Sequence, residues 1–101
     1  MAVAWHVTHR STDLRSSLVI EVPSGWQLVD DCLSRSFKFA DFAAAFAFMT
    51  RVAVVAEEEG HHPDWSNSWN VVDISLRTHD AGGVVTARDV QLAWRINKVL
   101  S

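Results

Sequence analysis

The chain has 101 residues, 49% hydrophobic and 21% charged, and its 9 Lys and Arg against 12 Asp and Glu leave a formal charge of −3. That is the size and apolar content of one small folded domain over 1–101, not of a disordered chain. Cys32 is the single cysteine, which excludes an intrachain disulfide framework and a cysteine-based zinc site, and the scattered basic residues exclude a nucleic-acid-binding stripe.

In chain order, Ser11, Thr12 and Asp13 offer a start for a short N-terminal helix through Leu14 and Leu18, although Val19, Ile20 and Val22 favour a strand. Pro23-Ser24-Gly25 forces a turn. Trp26 to Val29 and Leu33 to Phe39 predict a hairpin bent at Asp30-Asp31, with Leu33, Phe37 and Phe39 on one face and Arg35 the exception there. Asp41 is the expected N-cap of a long helix that stops at Gly60. Phe42, Phe46, Met49, Ala53 and Ala56 recur at steps of four and three, so they are its expected buried stripe. The apolar-rich stretch Phe42 to Ala56 is broken by Thr50 and Arg51 and is too short to span a bilayer.

After Pro63, Trp65 to Trp69 predicts a short strand and Val71 to Arg77 a second, with Val72, Ile74 and Leu76 on one face. Gly82-Gly83 breaks the pattern. Thr86 then opens a last helix, with Asp89 at a capping-box spacing and Val90, Ala93, Ile96 or Asn97, and Leu100 as the inner stripe. The order ββαββα, preceded by the short helix, predicts an α+β domain: a four-stranded antiparallel sheet with helices on one face. Val71 and Trp69 suggest that the other face meets a partner. The N-terminus lacks the basic start and apolar run of a secretion signal, so the expectation is a cytoplasmic protein with no membrane segment.

Three of the five histidines concentrate the chemistry. His61 and His62 follow the long helix, and His79 follows the second late strand, which an antiparallel layout can bring to the same end of the sheet. Imidazoles titrate near neutrality and suit general acid–base work. Glu57, four residues before His61, is placed to orient that ring. Plainer explanations compete. A His-His-Pro turn can simply terminate a helix, and three histidines can bind zinc, although adjacent histidines are awkward ligands and no fourth ligand is spaced for the role. Trp65 and Trp69 can stack on a flat ligand or belong to a core or interface.

The blocks Glu57-Glu58-Glu59-Gly60-His61-His62-Pro63-Asp64-Trp65-Ser66-Asn67, Thr78-His79-Asp80-Ala81-Gly82-Gly83 and Thr86-x-x-Asp89-x-x-Leu92-Ala93 occur in this order. With Gly25-Trp26, Phe37-Lys38-Phe39-x-Asp41-Phe42 and the segment from Ala45 to Ala53, they resemble the pterin-4a-carbinolamine dehydratase family over about residues 24 to 100. The first 22 residues match it poorly. Trp69 stands where the family commonly has Tyr, Ser68 where it has an aliphatic residue, and Gly60 where it often has an acidic or larger one.

The resemblance implies dehydration of 4a-hydroxytetrahydropterin to quinonoid dihydropterin, which recycles the cofactor of aromatic amino acid hydroxylases. It implies no metal and no organic cofactor, and a homodimer or homotetramer. His61 and His79 then form the acid–base pair, and His62 holds and orients the ring. Glu57, Pro63, Trp65, Thr78 and Asp80 join the three histidines in binding substrate. The alternative that the resemblance brings is a non-enzymatic scaffold, because an animal member of the family serves as a dimerisation cofactor of a transcription factor.

Overall fold

A computed structural model describes residues 21–100, so the expected N-terminal helix lies outside the described residues. The elements are β1 (Gln27–Val29), β2 (Cys32–Lys38), α1 (Phe42–Glu59), β3 (Asp64–Ser68), β4 (Val71–Leu76), a 3-10 turn (His79–Ala81) and α2 (Ala87–Leu100). The strands form one antiparallel sheet in the order β1-β2-β4-β3.

Both hairpins turn in two residues, a length that selects positive φ because such turns match the twist of the strands. Asp30 and Asp31 adopt φ 50° and 63°, and Trp69 adopts φ 48°. The Trp69 turn is braced by side chains. Asn67 Nδ2 donates to the carbonyls of Trp69 and Val71, and Asn70 Nδ2 donates to the Phe39 carbonyl.

The helices share one face of the sheet. Leu33 and Phe37 of β2 and Val72, Ile74 and Leu76 of β4 are buried there, against Phe48 and Val52 of α1 and Leu92, Ala93 and Ile96 of α2. The Phe48 ring lies 4.8 Å from Phe37 and 4.9 Å from Phe39. The other face carries Ser34, Ser36, Lys38, Asp73 and Ser75, so the apolar partner surface expected around Val71 and Trp69 is mainly hydroxylic and charged. Arg35, the exception in the β2 pattern, does point to the helix side. It sits at the edge of the core with its guanidinium 4.6 Å above the Phe37 ring and donates to Asn97 Oδ1 at 2.7 Å. Asn97 also accepts from Trp26 Nε1, which ties the chain entering β1 to α2. Gly25 is required at that crossing: its φ is 88°, and a Cβ there would lie 2.5 Å from Arg35 Nη1.

The caps of α1 are as expected. Asp41 Oδ1 accepts from the Ala44 N–H at 2.8 Å, and Gly60 stops the helix at φ 62°. Its buried face is not the expected one. Ala45, Phe48, Val52, Val55 and Ala56 are buried, whereas Phe42 and Phe46 are 48% and 54% exposed and Ala53 faces solvent. The helix is apolar nearly all round, so a stripe started at Phe42 and one started at Ala45 satisfy the same periodicity. In α2, Val90, Ala93 and Ile96 are buried as expected, while Leu100 is exposed.

Candidate active site

The end of α1 sets the first two histidines. The Gly60 N–H donates to the Glu57 carbonyl and the His61 N–H to the Ala56 carbonyl, both at 3.1 Å, a Schellman closure that needs the left-handed glycine. The chain leaving this closure turns His61 inward, to 7% exposure, and His62 outward.

The start of α2 sets the partner of His61. Asp89 Oδ2 accepts from the Thr86 N–H at 2.8 Å, the capping-box contact that the spacing implies. The same oxygen accepts from Thr78 Oγ1 at 2.7 Å, and Oδ1 lies 2.5 Å from His61 Nε2. A carboxylate oxygen can only accept, so Nε2 carries the hydrogen and Nδ1 is the ring's remaining proton-accepting nitrogen. Thr78 spends its one hydrogen on Asp89, so at 2.6 Å the Thr86 hydroxyl donates to Thr78. Asp89 is wholly buried, and its three donors offset the desolvation of its carboxylate.

His79 stands on a tight excursion between β4 and α2. The Thr78 N–H bonds the Val84 carbonyl, and the Ala81 and Gly83 N–H groups return to the Thr78 carbonyl. Gly82 and Gly83 supply the positive φ angles of 85° and 76° that close this loop.

Each of the three described histidines has its own carboxylate. His61 pairs with Asp89 inside the protein. His62 Nε2 lies 2.6 Å from Glu57 Oε2, and His79 Nε2 lies 3.5 Å from Asp64 Oδ2, with all four of these side chains more than half exposed. The expected link between Glu57 and His61 is thus absent: the Schellman turn sends the two in different directions, and Glu57 reaches His62. Only the His61–Asp89 pair is shielded from water, so it is the pair whose geometry is held most firmly.

An open cleft of about 180 Å³ lies over these groups, lined by Gly60, His61, His62, Thr78, His79, Asp80 and Arg88. Five of the eight expected substrate contacts line it: His61, His62, Thr78, His79 and Asp80. Glu57 stands behind His62. Pro63 is half-buried beyond the lining. Trp65, opposite Ile74 in the sheet register, packs on the hydrophobic core. Sequence reasoning missed two residues, Asp89 and Arg88. The capping-box spacing pointed to Asp89 as a helix cap, and nothing in the sequence showed that α1 would end beside it. Among the described residues, no group of three His, Cys, Asp or Glu is gathered to hold a metal.

A family-wide sequence model described as pterin 4 alpha carbinolamine dehydratase matches residues 8–99. The chain belongs to this family. The match to the pterin carbinolamine dehydratases reaches farther toward the N-terminus than the motif blocks do. A protein of Rhizorhabdus wittichii named "Putative pterin-4-alpha-carbinolamine dehydratase" is 55% identical over 87 residues, covering 84% of this chain and 89% of its own. One of the same name from a Bradyrhizobium species is 60% identical over 78 residues, covering 75% and 78%. A crystal structure titled transcriptional coactivator/pterin dehydratase, from Brucella melitensis, superposes with a TM-score of 0.72 at 45% identity over 77% of this chain and 84% of that one. A pterin dehydratase-like RuBisCO assembly factor of the alpha-carboxysome shares the fold, with a TM-score of 0.60 at 24% identity over 73% and 84%.

Proposed function

We propose that this chain dehydrates 4a-hydroxytetrahydropterin to quinonoid dihydropterin, by general acid–base catalysis in the histidine-lined cleft. The observation that carries the reading is the buried His61–Asp89 pair, which presents one imidazole of defined tautomer to a cleft that His79 and His62 also line. The elimination breaks the C4a–O bond. A proton goes to the departing hydroxyl, which leaves as water, and a proton is taken from the ring nitrogen as the new C=N bond forms. One imidazole accepts the second proton while another supplies the first. His61 and His79 take these two roles, and His62, steadied by Glu57, orients the ring. Thr78 and Asp80 line the pterin edge, and Pro63 and Trp65 support the wall from behind. The chemistry calls for no metal and no organic cofactor.

The same proposal includes self-association as a dimer or tetramer and action in the cytoplasm, on the pterin that aromatic amino acid hydroxylases release. The outward face of α1 supports self-association, because Phe42, Phe46 and Val54 are each about half exposed there, with Arg51, Glu57 and Glu58 as the charges beside them.

The test is the dehydration rate of freshly made 4a-hydroxytetrahydropterin, followed by ultraviolet absorbance. The wild type should accelerate it, and His61→Ala and His79→Ala should each lose about a hundredfold or more with the fold intact by circular dichroism. A folded wild type that does not exceed buffer would sink the dehydratase reading and return the chain to a binding scaffold.

A further inference from the structure

Thr78 lines the cleft, yet its hydrogen-bonding groups are turned inward. Its N–H donates to the Val84 carbonyl at 2.9 Å, and its own carbonyl accepts from the N–H groups of Ala81 and Gly83, both at 3.1 Å. Its hydroxyl hydrogen goes to Asp89 Oδ2 at 2.7 Å, and its hydroxyl oxygen accepts from Thr86 Oγ1 at 2.6 Å. No donor of Thr78 is left for a ligand. The carboxylate forces every direction in this chain of bonds. An anionic Asp89 only accepts, so the Arg88 N–H donates to Thr86 Oγ1, Thr86 to Thr78, and Thr78 to Asp89. From the other side His61 Nε2 donates to Asp89 Oδ1 at 2.5 Å. Thr78, Asp89 and His61 are 4%, 0% and 7% exposed, so water does not compete for these bonds. Held at Oδ2 by Thr78 Oγ1 and the Thr86 N–H, the carboxylate presents Oδ1 to His61 in one orientation.

We propose that Thr78 and Thr86 are positioning residues: their hydroxyls form a chain of fixed direction that locks Asp89, and through it the Nε2–H tautomer of His61. The inference rests on the dehydratase reading of the cleft and adds residues that act on His61 without bonding to the pterin. Loss of the Thr78 hydroxyl leaves Asp89 Oδ2 with one donor fewer in a dry site, where nothing replaces it. The carboxylate then turns toward its remaining donors, and its hold on Nε2 loosens. The Thr86 N–H still bonds Asp89, so the first turn of α2 stays closed.

The test reads His61 directly, by heteronuclear NMR of its ring nitrogens at alkaline pH, with the signals assigned by their absence from His61→Ala. The wild type should show one nitrogen bearing hydrogen and one bare, the pattern of a single tautomer. Thr78→Val keeps the shape and loses the hydroxyl, so the two nitrogen shifts should move toward each other as the second tautomer gains population. Thr78→Ser keeps the hydroxyl and should retain the wild-type shifts. In dehydration kinetics Thr78→Val should lower kcat by about tenfold and move KM by under about twofold, while Thr78→Ser stays within about threefold of the wild type. Thr78→Val added to His61→Ala should slow it no further. Thr86→Val should give the same pattern more weakly, and it decides the matter where Thr78→Val does not fold. Mixed tautomers in the wild type, or wild-type shifts in Thr78→Val, overturn the proposal. So does a rise in KM with kcat kept, which would set the hydroxyl against the substrate. Equal losses in Thr78→Ser and Thr78→Val also overturn it, since packing rather than the hydroxyl would then be at work. If the wild type does not dehydrate the pterin, the dehydratase reading falls, and the ring-nitrogen shifts still decide the positioning claim.

Discussion

At the scale of single residues, Asp89 does two jobs with one carboxylate. It closes the first turn of α2 through Thr86 and holds His61 through Nε2. The two jobs predict a particular pattern in variants. Asp89→Asn keeps the shape but turns an amide N–H₂ or a weaker acceptor toward donors that need an anion. It should cost about 1–3 kcal/mol in denaturant unfolding. It should also slow dehydration by at least about tenfold, because the imidazole loses its fixed tautomer. If Asp89 acts through His61, combining Asp89→Asn with His61→Ala should be no slower than His61→Ala alone. Additive losses in steady-state kinetics would mean that Asp89 acts by another route. The histidines themselves were legible in the sequence, since few other side chains do acid–base chemistry near neutrality. Their partners were not. Glu57, four residues before His61, is the acid that helical spacing suggests for it, yet a left-handed glycine between them redirects the chain and leaves Asp89, 28 positions away, as the partner.

At the scale of elements, caps and turns follow from local chemistry and the sequence states them well. Asp41, Gly60 and the Asp30-Asp31 bend all stand where expected, because each answers a need of a few neighbouring backbone groups. The inner face of α1 is a different kind of question. Phe42 and Phe48 are both aromatic and both lie on acceptable stripes, and only contact with the sheet separates them. Phe48 is wholly buried between Phe37 and Phe39, so Phe48→Ala should destabilise the protein by about 3–5 kcal/mol in denaturant unfolding. Phe42→Ala, at the half-exposed end of the helix, should cost under about 1 kcal/mol in the monomer. Similar losses for the two would mean that the faces of α1 have been misplaced.

At the scale of the whole molecule, the two helices meet the sheet on one side and leave an apolar strip on the far side of α1. A strip of this kind on a small domain is a liability unless it is covered. Self-association through it predicts that Phe46→Glu lowers the molar mass in light scattering toward 11.3 kDa, with the monomer's circular dichroism kept. A wild type that already runs as a monomer would refute it. The cleft also belongs to this scale. It exists because the end of α1, the excursion after β4 and the start of α2 converge at one end of the sheet. The sequence places those three segments near residues 60, 79 and 88.

What the sequence determined by itself was what depends on neighbours along the chain: the ββαββα order, the caps, the alternation of β4, the family blocks and the identity of the three histidines. These follow from backbone hydrogen bonding, side-chain periodicity and the scarcity of residues that do this chemistry. Tertiary structure alone decided which side of α1 is inside, that Asp89 rather than Glu57 holds His61, that Trp65 packs on the core, and that Arg88 lines the cleft. Each of these depends on which surfaces meet across tens of residues. In a helix apolar on every side, or a site built from the ends of separate elements, no local pattern carries that information.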